Sequence, residues 1–270
     1  MLPTLLQIGF VRISSLYVFS IFAVLVAIFI IWKQAKEKLY PENALFDTII
    51  LMIVVGIAGA RLGFIILHFN AFSLYLLQWI AFWVFPGFYL FGAMVGIIAV
   101  LWFQSRKHRD LKFWELVDFV GFAFWIAAII WLFGLFLAGS EKGLVSGISG
   151  APHPVTLYKL LTLLVILSPY LAFRSGNQRD DWFHKTPGSV GVTSALLLST
   201  MVVALDFFKE RAVWYGLSID QWIALGVSLL SLSVLYYRWK RSPKRDILSI
   251  SRRMWKTFLR KRLNLPRAVS

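Results

Sequence analysis

Residues 45–69 read LFDTIILMIVVGIAGARLGFIILHF, and this stretch decides what kind of protein the chain makes. It is apolar apart from its ends and one guanidinium, Arg61, and it is long enough for the roughly 20 helical residues that cross a bilayer. A charge at such depth costs about 2.5–3.5 kcal/mol on insertion scales, so it ordinarily faces a protein interior or a watery cavity. The neighbours Gly59, Ala60 and Gly63 are small and let backbone or ligand come close.

Similar apolar runs recur outward from this one. The chain has 270 residues, 59% hydrophobic and 17% aromatic, and a mean hydropathy of +0.73, which excludes an ordinary soluble domain. The sequence predicts an all-α integral membrane protein with about seven spans, Leu16–Trp32, Leu45–Phe69, Gly87–Phe103, Trp114–Leu137, Val155–Phe173, Gly188–Phe208 and Asp220–Tyr237. Ala71–Phe85 is apolar but short and ends at Pro86-Gly87, which predicts an interfacial or re-entrant piece and not an eighth crossing. Met1–Phe10 lacks a charged leader and a small-residue cleavage site, so the first run is read as a retained span.

Basic residues set the expected orientation. Connections 33–44, 104–112 and 174–187 carry three, four and three Lys or Arg, whereas 70–86 has none, 139–154 has Lys142, and 209–219 has Lys209 and Arg211. The N-terminus is therefore expected outside and the C-terminus in the cytoplasm, with Arg61 in the outer half of the membrane. Residues 1–237 form the expected polytopic membrane domain and 238–270 a basic cytoplasmic tail. The tail holds twelve Lys or Arg against Asp246. Following a span directly, it suits anionic lipid better than nucleic acid, as an amphipathic surface helix or a solvated segment.

The chemistry-bearing residues gather on the expected outer side. These are His68, Glu141, Lys142, His153, Tyr158, Lys159, Asp206, Lys209 and Glu210, a mixture of cations and hydrogen-bonding groups that suits an anionic lipid headgroup. Each has a plainer reading. His68, His153 and Lys159 can snorkel to water, Asp206 can pair with Lys209 or Lys159, and Gly59/Gly63 and Gly92/Gly96 suit close helix packing. Glu115 and Asp118 lie at the opposite end and read as structural. With no cysteine there is no disulfide, thiol nucleophile or Cys-ligated metal. The four histidines fall on both sides, so no metal site is expected, and neither a phosphate loop nor a hydrolase motif is present.

Several strings resemble those of the prolipoprotein diacylglyceryl transferase family. Gly59-Ala60-Arg61-Leu62-Gly63-Phe64 is similar to its Gly-Gly-Arg-hydrophobic-Gly-Tyr string, and Gly92-Ala93-Met94-Val95-Gly96 to a glycine pair opening the next span. Val117-Asp118-Phe119 resembles Ser-Asp-Phe, His153–Tyr158 resembles His-Pro-Ser-Gln-Leu-Tyr, and Asp206–Lys209 resembles Glu-Phe-Phe-Arg. The resemblance implies transfer of diacylglyceryl from phosphatidylglycerol to a lipoprotein cysteine at the outer leaflet of a bacterial plasma (inner) membrane, with no cofactor. The expected partners are phosphatidylglycerol and the prolipoprotein signal peptide. It implies lipid-binding roles for Arg61, Gly59, Gly63, Tyr158, Lys159, Asp206 and Lys209, with His153 as the candidate base.

The departures point another way. Phe91 stands where the family has a histidine considered important for catalysis. Leu132 and Val202 fall where it has arginines, Leu135 where it has an asparagine, and Thr156 where it has a glutamine. Tyr17 represents a first-span tyrosine only with a one-residue shift. Losing arginines and a histidine removes the natural stabilisers of a phosphodiester leaving group and of thiol deprotonation. A non-catalytic relative that binds lipid or a lipidated partner is therefore the alternative to an active transferase. A transporter is the third and weakest reading, because the spans show no inverted halves.

Overall fold

The computed structural model describes residues 4–8, 11–72, 76–81, 84, 87–139, 141, 143–145, 151–175, 186–209 and 214–238. Among these, a helical membrane body follows a small hairpin. Strands β1 (Thr4–Ile8) and β2 (Val11–Ser14) pair antiparallel, with Ile8 opposite Val11. The Ser14 hydroxyl then accepts the Leu16 amide and caps the first helix. The sequence reading did not anticipate this hairpin.

The long helices are α1 (Ser15–Glu37), α2 (Glu42–Leu67), α5 (Leu90–Lys107), α6 (Phe113–Ala138), α7 (Val155–Ser175), α8 (Ser189–Leu205) and α9 (Ile219–Arg238). Six of them are long and apolar enough to cross a membrane, and α7 supplies a shorter apolar stretch, Val155–Leu167. The expected multi-pass architecture is present. Among the described residues between α2 and α5 lie α3 (Phe69–Phe72) and α4 (Leu76–Ile80), each far too short to cross. Outward-facing side chains such as Ile21, Leu25, Ile50, Val54 and Ile57 are exposed by half or more or close to it, as lipid-facing positions must be.

Helix α6 is the hub, packing on α1, α5, α7 and α8, while α2 pairs with α5 and α8 with α9. One apolar core joins α1, α2, α5 and α6 through Ala35, Leu45, Leu101 and Leu116; a second joins α6, α7 and α8 through Leu132, Leu163 and Leu198. The α2–α5 contact is a glycine crossing. A Cβ on Gly59 would lie 2.6 Å from the Gly92 carbonyl oxygen, and one on Gly63 only 3.1 Å from the Gly92 Cα. The two backbones touch, so dispersion acts over the full length of the crossing.

Helix ends differ from the sequence expectation by up to five residues. Helix α5 begins at Leu90 and not Gly87, because Gly87–Tyr89 stays extended: Arg61 takes the Gly87 carbonyl at 3.1 Å and the Tyr89 amide donates to Ala60 O at 2.9 Å. Helix α1 continues past Trp32 to Glu37 through polar residues. Asp118, on α6, accepts the Gly188 and Gly191 amides at 2.6 and 2.9 Å and so closes the start of α8 from outside that helix. Glu115 binds Lys38 and Lys112. Both acids are structural.

Candidate functional site

Arg61 sits in the last third of α2 and is 8% exposed. Its Nε donates to Trp79 O at 2.9 Å, Nη2 to Gln78 O at 3.1 Å and Nη1 to Gly87 O. The rings of Phe64 and Phe72 flank the guanidinium at 5.9 and 5.1 Å. The last carbonyls of a one-turn helix and those of extended backbone need donors, and a planar five-donor fork can serve several at once. Arg61 is thus the clamp that folds the connection between α4 and α5. Gly59 and Gly63, on the same helix, face α5.

A second polar group assembles where α7 begins and α8 ends. The Lys159 ammonium donates to both Glu141 carboxylate oxygens at 3.0 and 3.2 Å and pairs with Asp206 at 3.5 Å. Lys209 lies 3.7 Å from Glu141, and the Thr156 hydroxyl donates to Glu141 at 3.1 Å. Lys159, Glu141 and Asp206 are largely buried, whereas the Lys209 side chain is 34% exposed. Burial works against the Glu141 charge, but Lys159, Lys209 and Thr156 outweigh it and hold the carboxyl below its usual range.

Residues 143–145 and 151–154 are laid beside this network by backbone pairing. Leu144 N donates to Phe208 O at 2.8 Å and His153 N to Leu144 O at 2.9 Å, while Gly143 bridges to Lys209. A Cβ on Gly143 would strike the His153 carbonyl, so the loop requires glycine there. These pairings set the half-buried His153 imidazole 5.3 Å from the Phe208 ring, with Nδ1 3.2 Å from the Tyr158 hydroxyl. Lys209 follows Phe208 directly.

The Tyr89 backbone is tied to α2 through Ala60 O at 2.9 Å, and its buried hydroxyl lies on the side of the Asp220 and Asp206 carboxylates. Among the described residues, then, Arg61 does not join Lys159; it fixes the extended segment whose Tyr89 faces the acidic side of the network. Neither Tyr89 nor Asp220 stood out in the sequence, since a tyrosine before a span and an aspartate opening one are both common at membrane boundaries. His68 stays outside the network, exposed, with Nδ1 3.0 Å from Phe64 O. Tyr17 is 67% exposed on the lipid side of α1. Lys142, Glu210, His184 and the tail from 239 onward lie outside the described residues.

Two of the substituted positions are filled by packing. Leu132 is 3% exposed within the core shared with Trp125, Leu160, Leu163 and Leu198, and Leu135 packs in the same cluster. No metal-binding group of three His, Cys, Asp or Glu exists among the described residues.

With this geometry in hand, comparison with known proteins is decisive at family level: the profile of prolipoprotein diacylglyceryl transferase matches residues 3–237. The chain belongs to that family. A phosphatidylglycerol–prolipoprotein diacylglyceryl transferase of Streptococcus pneumoniae (strain Hungary19A-6) is 22% identical over 260 residues, covering 89% of this chain and 96% of the relative. Proteins of the same name from Listeria monocytogenes serotype 4a (strain HCC23) and Listeria innocua serovar 6a are 25% and 26% identical over 141 residues. Those matches span 52% of this chain and half the length of the Listeria relatives. In this transferase-family chain the motif residues 59–64 and 92–96 form the helix crossing, and 153–159 with 206–209 form the buried ion network.

Proposed function

We propose that this chain moves diacylglyceryl from phosphatidylglycerol to a prolipoprotein cysteine at the outer leaflet of a bacterial inner membrane. In this reading the N-terminus is outside and the 238–270 tail is cytoplasmic. The observation that carries it is the His153 imidazole, half-buried, held at Tyr158 and against the Phe208 ring, in a chain that matches the family profile over residues 3–237. The cysteine thiol, with a free pKa of about 8.5, needs a base. His153 takes its proton as sulfur bonds to the glycerol carbon. The bond from that carbon to the phosphate oxygen breaks, and glycerol phosphate leaves with the electron pair.

Roles follow from exposure. Lys209, the more open cation, meets the phosphate, and Tyr158 orients the imidazole. Lys159, Glu141 and Asp206 neutralise one another and hold the loop in place. Arg61 is a positioning residue, because its donors serve backbone carbonyls. The test is purified protein in phosphatidylglycerol vesicles with a lipobox peptide, following release of glycerol phosphate and the mass gain of the peptide. Turnover lost in His153→Ala supports the assignment, and turnover unchanged in that variant removes it.

One observation favours a second reading, lipid binding without turnover. Leu132 occupies a family arginine position inside a dry apolar core, so the anion clamp there is absent and has no space to be rebuilt. Tight phosphatidylglycerol association with no glycerol phosphate released would select this reading.

A further inference from the structure

At the end of the body that carries the ion network, α9 is entered through a tight turn with an unusual tyrosine. Trp214 and Leu217 exchange both backbone hydrogen bonds, Trp214 N to Leu217 O at 2.8 Å and Leu217 N to Trp214 O at 3.3 Å. Tyr215 and Gly216 lie between them, with φ 50° and 85°. Two left-handed central residues make the mirror-image hairpin turn that Asn-Gly or Gly-Gly ordinarily fills. Gly216 suits it. Tyr215 has its Cβ crowded in that conformation, and the residue is 83% exposed.

The turn is firmly held. Ser218 and Gln221 cap the start of α9 reciprocally, Gln221 N donating to the Ser218 hydroxyl at 3.2 Å and Ser218 N to Gln221 Oε1 at 3.1 Å. The Gln221 side-chain amide also donates to Val203 O on α8 at 2.9 Å. Trp222 Nε1 donates to Trp214 O at 3.1 Å. Helical side chains lean toward the N-terminus, so Trp222 reaches back under the turn from its own face of α9. That face is the lipid-facing one: Ile219, Trp222, Leu229 and Leu230 are exposed, whereas Gln221, Ala224, Ser231 and Leu235 are buried on the opposite side. Trp214 is itself 62% exposed, and its ring meets the Tyr215 ring edge-on at 4.8 Å.

We infer that the Trp214–Tyr215 turn is an interfacial anchor, seated between the headgroups and acyl chains of the adjoining leaflet, with phospholipid of either headgroup charge as its partner. Lipid is the occupant because the turn continues the lipid-facing stripe of α9 past the helix start, and the indole that fastens it belongs to that stripe. The boundary is the depth because Trp and Tyr join an apolar ring to a polar tip and collect there. Asparagine would fit the backbone better and would supply no such ring. The anchor fixes the depth at which the adjacent end of α8, with Asp206 and Lys209, meets that leaflet. It requires neither turnover nor His153.

The cysteine-free sequence allows a local test. A nitroxide on Tyr215→Cys is placed in phosphatidylcholine nanodiscs. Its collisions with oxygen, which partitions into lipid, are compared with those with a water-soluble nickel chelate. The oxygen-to-nickel ratio should lie above that of the same label on free cysteine in buffer and below that at Leu230→Cys, farther into the span. Including phosphatidylglycerol should leave it unchanged. An aqueous ratio, a ratio raised only by phosphatidylglycerol, or one that falls when a lipobox peptide is added would each overturn the inference, the last by assigning the turn to peptide. Dipolar broadening between labels in vesicles would assign it to a second copy and overturn it equally. Trp222→Phe removes the indole donor and should sharpen the spectral lines of the label at 215. Unchanged lines would remove the fastening that places the turn over the lipid face.

Discussion

Lys159→Met removes the central cation of the buried network while keeping volume and helix propensity. It takes from Glu141 its two closest hydrogen bonds and from Asp206 its partner at 3.5 Å, leaving both carboxylates with most of their surface covered. Breaking one side of a buried pair costs about 3–5 kcal/mol. Lys209 and Thr156 still reach Glu141, so the lower end, about 3 kcal/mol, is expected. For a chain of this size that is a fall of roughly 6–12 °C in the unfolding temperature, read by tryptophan fluorescence in micelles. The triple variant Lys159→Met, Glu141→Gln, Asp206→Asn should recover much of the loss, because no buried charge is then left unpaired. A single-variant cost below about 1 kcal/mol would place the network among exposed ion pairs and refute the reasoning.

The same network predicts an acid limb. Glu141 has its folded value lowered, so its contribution is complete above the unfolded carboxylate range and disappears as pH falls through the lowered folded value. Stability should decline on acidification, and Glu141→Gln should flatten that decline in unfolding measured from pH 7 down to about 3. Gly92→Ala drives a methyl into the Gly59 carbonyl and should cost about 1–3 kcal/mol, read as a lower unfolding temperature. Arg61→Leu strands the carbonyls of Gln78, Trp79 and Gly87 at about 1–3 kcal/mol each. Faster hydrogen exchange confined to the α4–α5 connection would report that loss, and an unchanged pattern would count against the clamp. Asp118→Ala should destabilise by about 1 kcal/mol through the lost closure of α8, with phosphatidylglycerol association unaltered.

The spans were legible because hydrophobicity is a local, additive property of 20 or so neighbours. The same holds for the segment before Gly87 being too short to cross and for the crossing of Gly59/Gly63 with Gly92/Gly96, where small residues at four-residue spacing have few other uses in lipid. The pairing of Asp206 with Lys159 stood among the plain alternatives and is the one observed. Arg61 was legible as a costly charge with a task, but not the task itself: its partners are main-chain carbonyls 17 to 26 residues away, and carbonyls leave no mark in a sequence.

Composition and order alone therefore settled that the chain is a multi-span helical membrane protein with motifs of one transferase family, since transfer to lipid is decided residue by residue. Which charges neutralise one another was left to the tertiary structure. Coulomb energy depends on distance and burial, and only the tertiary fold brings Glu141 between Lys159 and Lys209. That fold also gave Arg61 its carbonyl partners, Gln78, Trp79 and Gly87.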